Sequence, residues 1–174
     1  MSQDLPDLDY KSLKEQMPLR DDITHGILDN GLEYFILKNE KPENRVSLRM
    51  PVKVGSVDET DAQQGMAHFV EHMCFNGTED FPKNDLINFL EKSGVKFGAH
   101  LNAYTSFDET VYMLDLPSDD QKVLETGVQI LENWAHKVTF AGDDIDDERG
   151  VIVEEARLRG GVQMRLFDEH KDVS

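Results

Sequence analysis

Five consecutive residues, His68-Phe69-Val70-Glu71-His72, carry the side chains best suited to chemistry in this chain. On an α-helix each residue advances about 100°, so residues four apart differ by only about 40° and both imidazoles share one face. Glu71, three residues after His68, lies on the same side. Two imidazoles beside a carboxylate suit a zinc ion with a bound water. The order is the reverse of the His-Glu-x-x-His zinc helix. The bland alternative is a pair of surface histidines on an amphipathic helix. The neighbours argue against it: Gly65, Met66, Phe69, Val70, Met73 and Phe75 are too apolar for a solvated helix. A largely buried helix must satisfy two His and a Glu with something, and a metal in a cleft does so.

Zinc catalysis needs three protein ligands and one open position. The candidates for the third are carboxylates in Glu148-Arg149-Gly150-Val151-Ile152-Val153-Glu154-Glu155. Glu148 and Glu155 are seven apart and share a helix face to within about 20°. Val151 and Ile152 are expected on that face, which turns it inward. Glu154 is rotated about 100° away and is expected to be wet. Two inward carboxylates are costly unless paired or metal-bound. The alternative is a solvated acidic face in a very acidic protein. Cys74, the only cysteine, follows His72 by two residues and so points away from the histidine face. A small buried hydrophobe is the expected role, and no internal disulfide can form.

Several elements must position these groups. Residues 1–20 are polar, with Pro6 and Pro18, and read as a loosely attached lead-in with a short amphipathic turn over Leu5, Leu8, Leu13 and Met17. Ile23–Leu28 and Leu32–Lys38 flank Asn30-Gly31, a strong hairpin signal. Arg45–Val54 is expected as a third strand, with Pro51 hinting at an edge or bulge. An acidic loop from Gly55 leads to the motif helix, which should stop at Asn76-Gly77. Pro82 and Asn84 mark a second helix with Leu86, Ile87, Phe89 and Leu90 on its apolar face, ending at Ser93-Gly94. Val95–Thr105 and Thr110–Leu116 read as two strands joined by a turn at 106–109. Ser118-Asp119-Asp120 caps a long helix to about Lys137, with Val123, Leu124, Val128, Ile130, Leu131 and Trp134 available for the core. Gly142-Asp143-Asp144 opens a helix that runs through Arg159 to an interruption at Gly160-Gly161. Residues 162–174 again look helical but stop without a cap, so this end reads as a cut within a domain covering 21–174. Strands first, then helices interleaved with further strands, make an α+β pattern: a mixed, mainly antiparallel sheet packed against several helices.

The 174 residues suffice for one domain with a core, and 39% hydrophobic content is ordinary for a globular chain. No apolar run reaches the 18 residues of a membrane span, and the polar start Met1-Ser2-Gln3-Asp4 shows no signal peptide. A net charge of −17 argues against nucleic acid and anionic membranes. It serves solubility first and, as a weaker reading, attracts basic peptides.

His68-x-x-Glu71-His72 followed by the segment from Glu148 to Glu155 resembles the M16 family of zinc metallopeptidases (pitrilysin, insulin-degrading enzyme, mitochondrial processing peptidase), an inverzincin group. Asn30-Gly31-Leu32, Val54-Gly55-Ser56, Asn76-Gly77-Thr78 and Asn102-Ala103-Tyr104-Thr105-Ser106 agree with it, so that the likeness runs from about 21 to 167 and is closest to bacterial members. The resemblance implies the M16/LuxS-like α/β roll and one Zn2+ held by His68, His72 and Glu155. It implies Glu71 as general base, Glu148 as a supporting carboxylate, and Asn102, Ala103 and Thr105 as the strand that pairs with the peptide backbone. An exposed strand edge suits that last role, since it captures extended peptides by main-chain hydrogen bonds. The implied activity is zinc-dependent endopeptidase hydrolysis, with an extracytoplasmic location favoured over the cytoplasm. Family members pair this domain with a homologous partner domain, so the fragment alone is expected to be inactive. His100 falls outside the family pattern and is expected to be a plain strand histidine. Two other readings compete: a noncatalytic scaffold of the same fold, which typically loses the His/His/Glu set and its base, and a structural zinc site, which leaves Glu71 unexplained and wants four ligands.

Overall fold

The computed structural model describes residues 18–159 apart from 84, 93, 96, 97 and 99. The expected turn over Leu5–Met17, the helix start at Asn84 and the segment after Arg159 lie outside the described residues. The chain divides into two compact units, one ending at Glu43 and the other beginning at Asn44.

The first unit is the expected hairpin. Strand β1 (Ile23–Ile27) pairs antiparallel with β2 (Glu33–Leu37), Ile23 opposite Leu37 and Ile27 opposite Glu33. Its tip closes through Gly31 N to Leu28 O at 2.8 Å and Leu28 N to Leu32 O at 2.9 Å. Asn30 Oδ1 accepts from Leu32 N, and Gly31 takes φ +87°, a conformation that L side chains rarely adopt. His25 stacks on Phe35 and bonds Glu33 across the strands.

The second unit is an antiparallel sheet with helices packed against it, giving an α+β fold. Strand β3 (Arg45–Val52), β4 (Leu101–Thr105) and β5 (Thr110–Pro117) lie in the order β3-β5-β4, so β5 is central. Pro51 indeed sits in an edge strand, where its missing N–H costs nothing. The helices are α1 (Met66–Asn76), α2 (Asp85–Lys92), α3 (Gln121–His136) and α4 (Gly142–Arg159). Leu114 and Leu116 of β5, Leu101, Leu86 and Leu90 of α2, Ile130 and Trp134 of α3, and Cys74 of α1 form one buried cluster. Gly127 lets α3 approach this sheet, because a Cβ there would collide with Leu116.

Four expectations need correction. Strand β4 starts at Leu101, not Val95, because Gly94 and Gly98 take left-handed conformations (φ +77° and +79°) through which a strand does not continue. Val95 is instead a buried plug before the turn. Strand β3 ends at Val52, short of Val54. Val128 of α3 is 60% exposed, since Gly127 and Ile130 carry the buried face. On α4 the half-buried stripe is Ile145, Glu148, Ile152 and Glu155, whereas Val151 is 46% exposed.

Candidate metal centre

Helix α1 is fixed at both ends. Its first turn lacks an ordinary side-chain cap at Gly65, which adopts φ +85°. Glu59 supplies the cap from the preceding loop: its two carboxylate oxygens accept from Gly65 N at 2.8 Å and Ala67 N at 2.7 Å. A negative charge at a helix N-terminus also complements the helix dipole. At the other end, Trp134 Nε1 donates to Cys74 O at 2.9 Å, satisfying a last-turn carbonyl. Gly77 follows with an extended rather than left-handed backbone. Its lack of a Cβ matters for space: one built there would lie 3.1 Å from Lys83 N and 3.3 Å from Thr139 Oγ1. Thr139 donates through both N and Oγ1 to Gly77 O, and Thr78 bridges Val138.

This frame brings His68 and His72 together with α4. The two Nε2 atoms lie 3.1 Å apart, and Glu155 Oε2 lies 3.5 Å from His68 Nε2 and 3.9 Å from His72 Nε2. Among the described residues these three form the one group of His, Cys, Asp and Glu side chains clustered closely enough to hold a metal ion. A point equidistant from the three atoms lies about 2.0 Å from each, the usual length of a zinc–nitrogen or zinc–oxygen bond. The donor set therefore fits zinc. All three side chains are partly buried, so one side of the cluster remains open to solvent.

Glu148, one face along on α4, is not in the triad. Its Oε1 lies 2.7 Å from His72 Nδ1, and its Oε2 accepts from Asn76 Nδ2 at 2.6 Å. A carboxylate on the far nitrogen of an imidazole sets the tautomer that leaves Nε2 as a lone-pair donor. Asn76 escaped the sequence reading, which took it only as a helix stop. Its signal was available: His68, His72 and Asn76 recur every four residues. Glu154 faces away and pairs with Arg157 at 2.6 Å.

Glu71 is 7% exposed, and Thr105 Oγ1 donates to its Oε2 at 2.6 Å. The backbone of β4 alternates toward β5 and toward an open edge. His100 O accepts from Asp115 N on the β5 side, so Ala103 and Thr105 present their N–H and C=O groups to the open edge. The Ala103 N–H is met by Asn102 Oδ1 at 2.9 Å. Asn102 thus meets that edge through its side chain, while its own backbone faces β5. His100 lies off the cluster, beside the Arg49–Asp115 pair.

Cys74 is buried, and burial pushes its thiol up to about 11, with the S–H donating to the Tyr112 hydroxyl at 3.2 Å. It is a core residue, as expected. On the side of α1 away from the histidines is a cleft of about 300 Å³ walled by Val52, Val54, Met66, Val70 and Tyr112.

The comparisons with known proteins give the family. The model of the insulinase family (peptidase family M16) matches residues 34–159. This chain belongs to the M16 peptidase family. A probable zinc protease, PqqL, of Haemophilus influenzae is 45% identical over 155 residues, covering 89% of this chain and 17% of that protein. The crystal structure of the periplasmic protease PqqL from Escherichia coli superposes with a TM-score of 0.82 at 41% identity, covering 87% of this chain and 17% of that one. A mutant of the ferredoxin protease FusC, in complex with Arabidopsis ferredoxin, gives 0.76 at 35% identity, covering 85% and 16%. The chain thus spans about a sixth of the length of the relatives it matches. The PqqL relatives of Haemophilus influenzae and Escherichia coli are named probable zinc proteases, and among the described residues of this chain no helix is long and apolar enough to cross a membrane.

Proposed function

We propose that this M16 domain is the zinc-bearing part of an endopeptidase that cleaves extended peptides or unfolded protein segments. The single observation that carries the reading is the convergence of His68, His72 and Glu155 beside a buried Glu71. A zinc ion held by that triad supplies Lewis acidity and a water of lowered pKa. His68 and His72 would hold the ion with Glu155, and Glu148, 2.7 Å from His72 Nδ1, would fix the tautomer that leaves Nε2 free to bind. Glu71 acts as general base, taking a proton from the attacking water and passing it to the leaving amine. The open edge of β4 at Ala103 and Thr105 binds the peptide main chain, and Asn102 releases the Ala103 N–H when the peptide arrives. The complete set of ligands and base favours this reading over a noncatalytic scaffold. A homologous partner domain completes the cleft, so cleavage belongs to the longer protein. An extracytoplasmic location is supported by the name of the Escherichia coli PqqL structure, a periplasmic protease.

Two substitutions in the full-length protein test the assignment. Glu71→Gln should retain zinc and lose turnover by at least about a hundredfold; cleavage at the parent rate would refute the base. Glu155→Ala should lose metal on dialysis while Glu154→Ala keeps it. Equal zinc content in the two variants would refute the ligand choice.

A further inference from the structure

Thr105 and Thr110 face each other across the β4–β5 ladder, and their hydroxyl oxygens lie 3.3 Å apart. Thr110 is buried, and its hydroxyl donates to Val54 O at 2.9 Å. That commits the Thr110 proton to the loop after β3. The same loop is docked on the β4–β5 turn through Ser56 N to Ser106 O and Val57 N to Phe107 O. Gly55 permits the approach, since a Cβ there would strike the Phe107 backbone. The oxygen of Thr110 is therefore fixed, and it limits where Thr105 Oγ1 can sit. Thr105 then has one proton to give, and it gives it to Glu71 Oε2 at 2.6 Å.

We infer that Thr105, seated against Thr110, is the positioning residue that sets the orientation of the Glu71 carboxylate. The inference rests on the reading of Glu71 as the base. With Oε2 held by Thr105, Oε1 is the oxygen turned to the water. A methyl group in place of the hydroxyl leaves a nearly buried carboxylate without that donor, and the carboxylate reorients to find another. Because Thr105 lies in the strand whose edge receives the peptide, one residue ties peptide docking to alignment of the base. Its backbone serves the peptide, and its side chain serves Glu71.

The test compares Thr105→Val and Thr105→Ser with the parent and with Glu71→Gln, all in the full-length protein, by steady-state peptide cleavage. Thr105→Val should lower kcat by about tenfold, the loss of one hydrogen bond to a charged group, with KM changed less than about twofold. Thr105→Ser, which keeps the donor, should keep kcat within about threefold of the parent. A second readout needs no activity. In metal-stripped protein, Thr105→Val should lower the melting temperature by about 1 °C, and in a Glu71→Ala background it should not. An unchanged kcat in Thr105→Val, a change confined to KM, an equal loss in Thr105→Ser, or an equal melting shift in both backgrounds would each overturn the inference. If Glu71→Gln stays active, the reading of the base fails instead, which separates the two failures.

Discussion

Individual side chains around the site are held by partners from distant parts of the sequence. Trp134 is the clearest case. Its ring lies 5.3 Å from both Phe75 and Tyr112, and its indole N–H reaches the carbonyl of Cys74, sixty residues earlier. The apolar part of that role was legible from helical periodicity; the hydrogen bond was not, because no spacing rule joins a tryptophan to a backbone carbonyl on another helix. Trp134→Phe preserves most of the apolar contact and strands the Cys74 carbonyl in the core. It should destabilise by about 1–3 kcal/mol, the cost of an unsatisfied buried acceptor, as read by urea unfolding. Loss below about 0.5 kcal/mol would mean that the carbonyl finds another donor. The histidines of the candidate metal centre show the complementary lesson. His68, Glu71 and His72 were legible because they share one helical turn, and Glu155 because a heptad step carried it onto the face of Glu148. The Glu148–His72 bond and the Thr105–Glu71 bond were not, since each joins two elements.

At the level of elements, the loop at Asp80 ties α1's exit to α3. Asn133 Nδ2 donates to Asp80 Oδ2 at 2.9 Å, Lys137 Nζ at 3.1 Å and Gln129 Nε2 at 3.3 Å. These three donors, Asn133 foremost, pull the Asp80 carboxyl down to about 2, and Lys137 is raised by the same contact and by Glu132. A carboxyl held below its unfolded value, near about 3.9, stabilises the fold above that value and loses its contribution as pH falls toward 2. Asp80→Asn should therefore melt lower than the parent at pH 7, and the gap should narrow below pH 4 and close near 2. A gap independent of pH would show that the anion contributes nothing. Sequence reading found the helices that this loop joins, and their order, because each had a cap or a stop: Asp120 accepts from Lys122 N and Val123 N as its position suggested. It missed Glu59, six and eight residues from the N–H groups it caps, and overextended β4, where left-handed glycines outweigh apolar pattern.

For the whole molecule, the decisive fact is which parts of the site this chain contains. The three candidate ligands and Glu71 all lie in the unit that begins at Asn44, on α1 and α4, which pack together. Zinc uptake should therefore be a property of these 174 residues. Cleavage makes further demands. Helix α4 exposes Val151, Val153 and Leu158, and the hairpin exposes Phe35 and Ile36. PqqL of Haemophilus influenzae is about five times as long as this chain, and the proposed peptide along β4 would need a second wall to hold it against a bound metal. The isolated chain should bind about one zinc per molecule, lowered in Glu155→Ala, yet cleave peptides at less than about a thousandth of the full-length kcat/KM, the scale of rate lost when a reactant is not held in place. Metal analysis and cleavage assays on the chain and on the full-length protein, run side by side, decide it. If the chain alone matches full-length kcat/KM, the partner domain is not needed to complete the cleft, and α1, α4 and the β4 edge suffice.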